Sequence, residues 1–534
     1  MRNCITDRLK KIYDYIESDL FYIAVLFICF ISYGFCHLNS FSSDEYFLWS
    51  RFRSIIDCIK DGNYPYYYYS DFAGVGYGVS FFYGQLTLFP FLLLPFLYER
   101  NNFLQAYMLV TLVLTYAGCC SFAKNYTKNY KDISILFMVS CLYITFRIPA
   151  NKFAFGLSLL FLSYCVKFFR GKGNYIQTSL LFFLVLNTHL ISALFSFLGC
   201  FVLFIIYFDR ERIEEYVRFF ITSLFLCLYN IANMLYHSTG LDFGGHENLS
   251  DRDLFSSSSL VLSQLPFTSY LLRLKLSGLF NVSGSGVMIL AVALFSLYYL
   301  YKRRNNLGVA EKIVVALFFV SVFISEKSVW SLIYDVSHPI FQFPTRFLLY
   351  VLLFYLIVCF RKADIKYIRI LSVVCLVDAV LGFGFMTYDS SRPDKPESQW
   401  DSFDTAMYEV ENGEYLEGSF VWNLDYFKDK ASNVYVNNEM NLEYTENNGR
   451  LEITVPEHDE NWVLTVPKLY YRGYVSSYGK LYDGNDQFIR VDIGDEDGLL
   501  YVYYKHPLFL IVLHILTILL VIYLIMRLAK DLFR

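Results

Sequence analysis

Charge is scarce in this chain. Of its 534 residues only 18% are Asp, Glu, Lys or Arg, against 56% hydrophobic and 20% aromatic, whereas soluble globular chains carry about 25% charged residues. That deficit excludes an ordinary soluble protein. Paired cysteines are also lacking. Twelve cysteines are present, but no CxxC motif or Cys/His cluster occurs, which argues against a zinc site. None lies within 387–505, so the most hydrophilic stretch has no disulfide framework. Most, such as Cys29, Cys119, Cys165 and Cys200, fall inside apolar runs, where the simplest role is packing. No small-residue cleavage site follows the first apolar run, as a removed signal peptide requires. There is no internal repeat, no low-complexity tract and no basic stripe, and nucleic-acid binding is disfavoured.

What the chain does have is repeated apolar runs of membrane-spanning length. The first, 20–38, follows Arg2, Arg8, Lys10 and Lys11. Further runs cover 103–123, 133–148, 153–169, 174–189, 191–208, 217–236, 284–301, 311–325, 346–360, 367–386 and 506–526. Twelve crossings put the basic clusters around Lys124, Arg170, Arg212, Arg303, Arg361 and Arg527 on the same side as the N-terminus, which the excess of Lys and Arg in cytosolic loops demands. The segment 80–98 threatens this count, because a full crossing there inverts everything downstream. It is short and carries Pro90 and Pro95, poor residues for a spanning helix, and is expected to stay at the outer face as a juxtamembrane or re-entrant piece.

The net charge of −4 hides a segregation. Residues 387–505 hold 24 acidic and 10 basic residues, leaving 25 acidic and 35 basic elsewhere. In this acidic block Leu451/Ile453/Val455, Ile489/Val491/Ile493 and Leu499/Tyr501/Tyr503 are expected to alternate with polar neighbours, the period of half-buried strands. Asn447-Asn448-Gly449 and Asp483-Gly484-Asn485 are turn signals. The expected fold is an all-α polytopic membrane bundle of about twelve helices (1–386), with outer loops at 39–102 and 237–283. A small extracytoplasmic β-sandwich fills 387–505, and a last helix with a basic cytosolic tail fills 506–534. Both termini are then cytosolic, in the cell membrane.

Chemistry is expected on the outer face. Asp44 and Glu45 follow the first run directly and begin an amphipathic helix whose apolar face, with Phe47, Leu48, Phe52, Ile55, Ile56 and Ile59, suits the membrane interface. An acidic pair there can draw a proton from an acceptor hydroxyl, or bind a divalent cation, beside a lipid-linked substrate. Equally, Ser42-x-x-Glu45 is a capping box, and carboxylates in a first turn complement the helix dipole. The run 64–78 is rich in tyrosine and glycine. Tyr67 and Tyr77 offer faces for sugar stacking, or belong to an interfacial aromatic belt; Asp71 is a further acidic candidate. His189, at an outer turn, either meets a phosphate or shuttles a proton, or is a hydrogen-bonded interfacial histidine. Arg147 and Lys152 oppose the positive-inside trend and suit a polyprenyl phosphate, or snorkel to lipid phosphates. His338-Pro-Ile-Phe-Gln-Phe-Pro-Thr-Arg346 places Arg346 at head-group depth, with Gln342 a candidate sugar contact; it also reads as a plain helix start.

Asp44-Glu45, YGVSFFYGQL at 77–86, NTHLISALF at 187–195, FQFPTRFL at 341–348 and VLTVPKLYYRGYVSSYGK at 463–480 together resemble the YfhO-like family of bacterial membrane proteins. That family is grouped with the GT-C superfamily of membrane glycosyltransferases. The resemblance is patchy but spread over nearly the whole chain, and Thr345 stands where the family has an aromatic residue. It implies a transferase using a polyprenyl-phosphate-linked sugar and a cell-envelope glycopolymer acceptor, such as a teichoic acid (lipoteichoic acid among them) or surface polysaccharide. Asp44 and Glu45 become the catalytic pair, and Arg346 and His189 lie near the lipid phosphate. No DxD with downstream ligands fixes a metal. A flippase for lipid-linked sugars and a non-catalytic polymer-binding protein are the competing readings. The first needs a polar path through the bundle, for which Asp378 is the main charge.

Overall fold

The computed structural model of the protein describes residues 19–32, 43–69, 74–140, 149–239, 286–324, 344–390, 429–484 and 486–532. Each of the twelve apolar runs carries a helix over most of its described part. In chain order the helices are α1 (Asp19–Ser32), α2 (Ser43–Lys60), α3 (Arg100–Ala123), α4 (Tyr130–Ser140), α5 (Pro149–Phe169), α6 (Tyr175–Leu186) and α7 (Leu190–Ile206). Then come α8 (Ile213–Ser238), α9 (Gly286–Arg303), α10 (Val309–Ile324), α11 (Pro344–Phe360), α12 (Ile365–Ser390) and α13 (Leu508–Leu532). Among the described residues, three of these, α3, α8 and α13, are long and apolar enough to cross a membrane. The protein is thus mostly helical, with membrane character in those three.

Packing separates inner from outer helices. α5 is buried on nearly every side from Phe153 to Phe169, as a helix apolar all round must be. α13 instead exposes Ile515, Leu516, Leu519, Ile522 and Met526, an apolar surface that water does not favour. α3 and α5 cross where two glycines meet. A Cβ on Gly118 would lie 2.5 Å from Gly156 O, and one on Gly156 would lie 2.8 Å from Thr115 N. Small residues let the two backbones touch, the usual device of helix pairs without water between them.

The basic turns gather at one end. Arg170, after α5, donates to Asn125 O (3.2 Å) beyond α3, and Arg212, before α8, donates to Phe168 O (2.7 Å) in α5. Asn129, before α4, donates to Ala363 O (2.9 Å) between α11 and α12. Arg303 of α9 donates to Val358 O (2.8 Å) in α11, and Glu311 of α10 pairs with Arg361 (2.5 Å). Arg527, late in α13, donates to Tyr175 OH (3.1 Å) at the start of α6. Here too Asp132 of α4 accepts from Arg369 Nε of α12 (2.8 Å) and Tyr22 OH of α1 (3.0 Å).

The other end carries the first loop and the β-rich region. Residues 78–98 form no long helix, only 3-10 turns at Gly78–Phe81, Phe89–Leu93 and Pro95–Tyr98, the last two with proline in the first turn. Among the described residues the β region has nine strands: β1 (Val434–Val436), β2 (Met440–Leu442), β3 (Tyr444–Asn447), β4 (Arg450–Val455), β5 (Trp462–Leu469), β6 (Tyr474–Ser476), β7 (Lys480–Asp483), β8 (Phe488–Gly494) and β9 (Gly498–Tyr504). They make two antiparallel sheets, ordered β2-β1-β5-β8-β7 and β3-β4-β9-β6. Asn448 and Gly449, both at positive φ, join β3 to β4 as the two-residue turn that matches strand twist.

Two expectations need correction. In β9 the core side is Leu500 and Val502, not Leu499/Tyr501/Tyr503. Leu500 faces Ile453 and Val502 faces Leu451 across the ladder, so they share the buried face; the run LLYVYY is apolar in both phases and hides its register. α2 is not an interfacial helix. Phe47, Leu48, Phe52, Ile55 and Ile56 are buried, Phe52 stacks 4.1 Å from Phe103 of α3, and Ser50, Arg51 and Ser54 are enclosed as well. Ile59 alone of its apolar stripe is exposed.

Candidate functional site

Opposite the basic turns, the first loop is clamped between the helices and the β region. Leu469 N–H donates to Val75 O (3.0 Å), and Lys468 donates from Nζ to Tyr69 O (3.1 Å), Gly74 O and Glu446 Oε1 (2.6 Å). Lys468 is 0% exposed; burial pulls its pKa below the usual lysine range, and Glu446 partly restores it. The tyrosines act here as packing. Tyr67 is enclosed by Phe81, Tyr471, Tyr474 and Tyr504, accepts from Tyr474 OH (3.1 Å), and burial holds its phenol well above the ordinary pKa. Tyr77 is buried and bridges to Tyr68. As sugar-stacking candidates both are therefore corrected: their faces are spent on the protein. The glycines do allow close approach, but again by protein. Gly76, at φ +85°, leaves room for the Tyr67 ring, and a Cβ on Gly84 would lie 2.3 Å from Asn187 Cα.

One layer away, four helices begin at a common end. Asp44 and Glu45 occupy the first turn of α2, Lys152 that of α5 and Arg346 that of α11, while His189 caps α7. The side chains one turn deeper join them. Phe47 of α2 lies 5.7 Å from Tyr83, and Tyr83 lies 5.7 Å from His189. Tyr350 of α11 meets Phe155 of α5 at 4.8 Å and Phe195 of α7 at 6.1 Å between ring centroids. Helix N-termini carry free N–H groups and positive dipole ends, which favour anions.

His189 is buried. Its Nδ1 accepts from Ser192 N–H (3.1 Å), which puts the proton of the neutral ring on Nε2. Beside it lies a residue the sequence reading passed over. Arg51 is 2% exposed; its guanidinium sits 4.8 Å from the Tyr83 ring centroid and 5.6 Å from that of Phe47, and Nη2 donates to Gly84 O (2.9 Å). Among the described residues its Nε has no partner, although buried charges are ordinarily paired. The signal was present: Phe47, Arg51 and Ile55 follow at i, i+4 and i+8, a charge in the middle of an apolar stripe.

Tyr83 and Asn187 also border a cavity of about 330 Å³ beneath the first loop, between α6, α8 and α13. A histidine cluster abuts it. His506 stacks on Tyr66 (4.0 Å) and His237 on Phe81 (3.6 Å); Tyr504 OH lies 2.8 Å from His237 Nε2 and 3.1 Å from His506 Nδ1. Burial, with His237 and His514 nearby, pushes the His506 pKa down to about 3. Of these histidines, His514 was legible, since an ionisable residue inside an apolar span is a functional candidate by default.

Arg147, Asp71 and Gln342 lie outside the described residues, as does His338, and the side chains of Asp44, Glu45, Lys152, Arg346 and Asp378 are likewise not described. Among the described residues no three His, Cys, Asp or Glu side chains group to hold a metal ion. No protein-family model, curated protein or solved structure matches the chain.

Proposed function

We propose that this protein is a bacterial cell-membrane glycosyltransferase that moves a sugar from a polyprenyl-phosphate donor to a cell-envelope glycopolymer. In this reading the twelve apolar helices cross the bilayer, the basic turns face the cytosol, and the first loop and β region lie outside. The observation that carries it is that the first turns of α2, α5 and α11 lie at the same end as the His189 cap of α7, because these four positions bear the acidic pair, Lys152, Arg346 and His189.

The chemistry follows from those residue types. The acceptor oxygen attacks the anomeric carbon, and a carboxylate of Asp44 or Glu45 takes its proton as the new glycosidic bond forms. The bond from that carbon to the phosphate oxygen breaks, and polyprenyl phosphate leaves. Arg346, Lys152, Arg147 and Arg51 supply positive potential to the departing phosphate in a site away from bulk water. The β region then covers the site or holds the acceptor.

The test is sugar transfer from a labelled polyprenyl-phosphate sugar to envelope polymer by purified protein in bilayers. Asp44→Asn and Glu45→Gln variants that insert normally are expected to lose about 10²–10⁴-fold in rate, the worth of a positioned proton acceptor. Transfer at the wild-type rate by both variants refutes the assigned roles. Donor movement across the bilayer without glycosidic bond formation favours a carrier instead.

A further inference from the structure

The cavity beneath the first loop has a lining unlike that of a phosphate site. Among the described residues, none that lines it is charged. Its inner wall carries Asn187, Asn230, Asn233 and His514, and two atoms there lack partners among the described residues: Asn233 Oδ1 and His514 Nδ1. Asn233 is only 4% exposed; its Nδ2 is engaged by Phe81 O (3.3 Å). An unpaired buried amide oxygen costs free energy unless something donates to it. The roof is rigid, since Tyr64 OH is held 3.1 Å from His514 Nε2 and Tyr66 is stacked on His506.

The outer wall is different. Leu190, Ile231, Ile518 and Ile522 line the cavity and are 37–47% exposed. In the bilayer placement proposed above, those residues face acyl chains, so the mouth opens sideways into lipid. At about 330 Å³ the space sits at the lower end of the ~300–1,000 Å³ of small-molecule sites. That accommodates one compact head group.

We infer that this cavity binds the uncharged, hydroxyl-bearing head of a membrane lipid, a neutral glycolipid, reached laterally from the bilayer. Its hydroxyls exchange hydrogen bonds with the amides of the inner wall, Asn187, Asn230 and Asn233. The absence of a lining charge disfavours anionic phospholipids, and the apolar mouth disfavours a free sugar. The inference needs the bilayer placement but not the transferase chemistry. Its neighbours Tyr83 and Asn187 put the bound head beside His189, where it has access to the proposed site.

The experiment uses the full chain in phosphatidylcholine nanodiscs doped with monoglucosyl diacylglycerol, with bound lipid read by native mass spectrometry. Wild type is expected to retain the glycolipid at least tenfold over phosphatidylglycerol. Asn233→Leu removes the acceptor. Ile518→Trp narrows the mouth from an exposed position, and a wild-type unfolding midpoint for it separates loss of binding from loss of structure; both variants are expected to lose retention tenfold or more. Equal retention by wild type and Ile518→Trp overturns the proposal, as does equal retention of phosphatidylglycerol. Competition by free glucose at the glycolipid's own concentration overturns lateral access. Retention without sugar transfer upholds this site while the transferase reading fails; transfer without retention does the reverse.

Discussion

Arg51 poses a sharp question at the scale of single residues. A guanidinium enclosed between two rings with one carbonyl bond pays for desolvation without a carboxylate beside it among the described residues. Replacing a buried ion by an apolar side chain of similar volume is often neutral or stabilising by about 1–4 kcal/mol. Arg51→Met is therefore expected to leave the unfolding midpoint unchanged or higher while sugar transfer falls at least tenfold. A variant that loses stability and keeps activity marks Arg51 as a packing residue. Lys468 is the opposite case, because its ammonium satisfies two backbone carbonyls and Glu446. Lys468→Met is expected to cost about 1–3 kcal/mol, the penalty of leaving buried acceptors unpaired, measured by denaturant unfolding. His506 gives the pH dependence. Its folded pKa of about 3 lies below the ordinary 6.5, so between those values the unfolded chain binds more protons than the folded one. The stability contributed by the uncharged His506 ring is full above about pH 6.5 and is lost as the pH falls toward 3. His506→Phe is expected to flatten that acid limb in a thermal-melt series, and an unchanged limb contradicts the assignment.

At the scale of elements, α3 and α5 depend on the contact at Gly118 and Gly156, where a Cβ meets backbone rather than a flexible side chain. Gly156→Val is expected to destabilise the bundle by about 1–3 kcal/mol, as overpacking does, seen as a lower midpoint in detergent unfolding; a wild-type midpoint means the helices part freely. Elements were the most legible part of the sequence. The apolar runs became helices because hydrophobic length alone specifies them, and β4 and β8 bury Leu451/Ile453/Val455 and Ile489/Val491/Ile493 because one phase only is apolar. β9 was misphased because both of its faces are apolar. α2 was legible as amphipathic, but composition does not say whether an apolar stripe meets lipid or protein. The same ambiguity hid the role of Tyr67 and Tyr77. Long-range partners such as Tyr471 and Tyr504, some 400 residues away, have no local signature.

At the scale of the whole molecule, charge bias in the sequence and contacts in the structure point the same way. The Lys/Arg clusters assigned to one side meet at one end, and the first loop, the α6–α7 turn and the β region meet at the other. The candidate site was legible as a set of helix starts on one face, while the buried Arg51 and the neutral cavity beside it emerge only when distant segments pack. The central claim is that Asp44/Glu45 and Arg346 border a single pocket on the outer side. It is tested most directly by cysteines placed at 45 and 346 in a cysteine-free background, assayed in intact cells. Both are expected to react with a membrane-impermeant maleimide, and a short bifunctional reagent is expected to link them. Labelling of only one, or no link between two accessible sites, contradicts it.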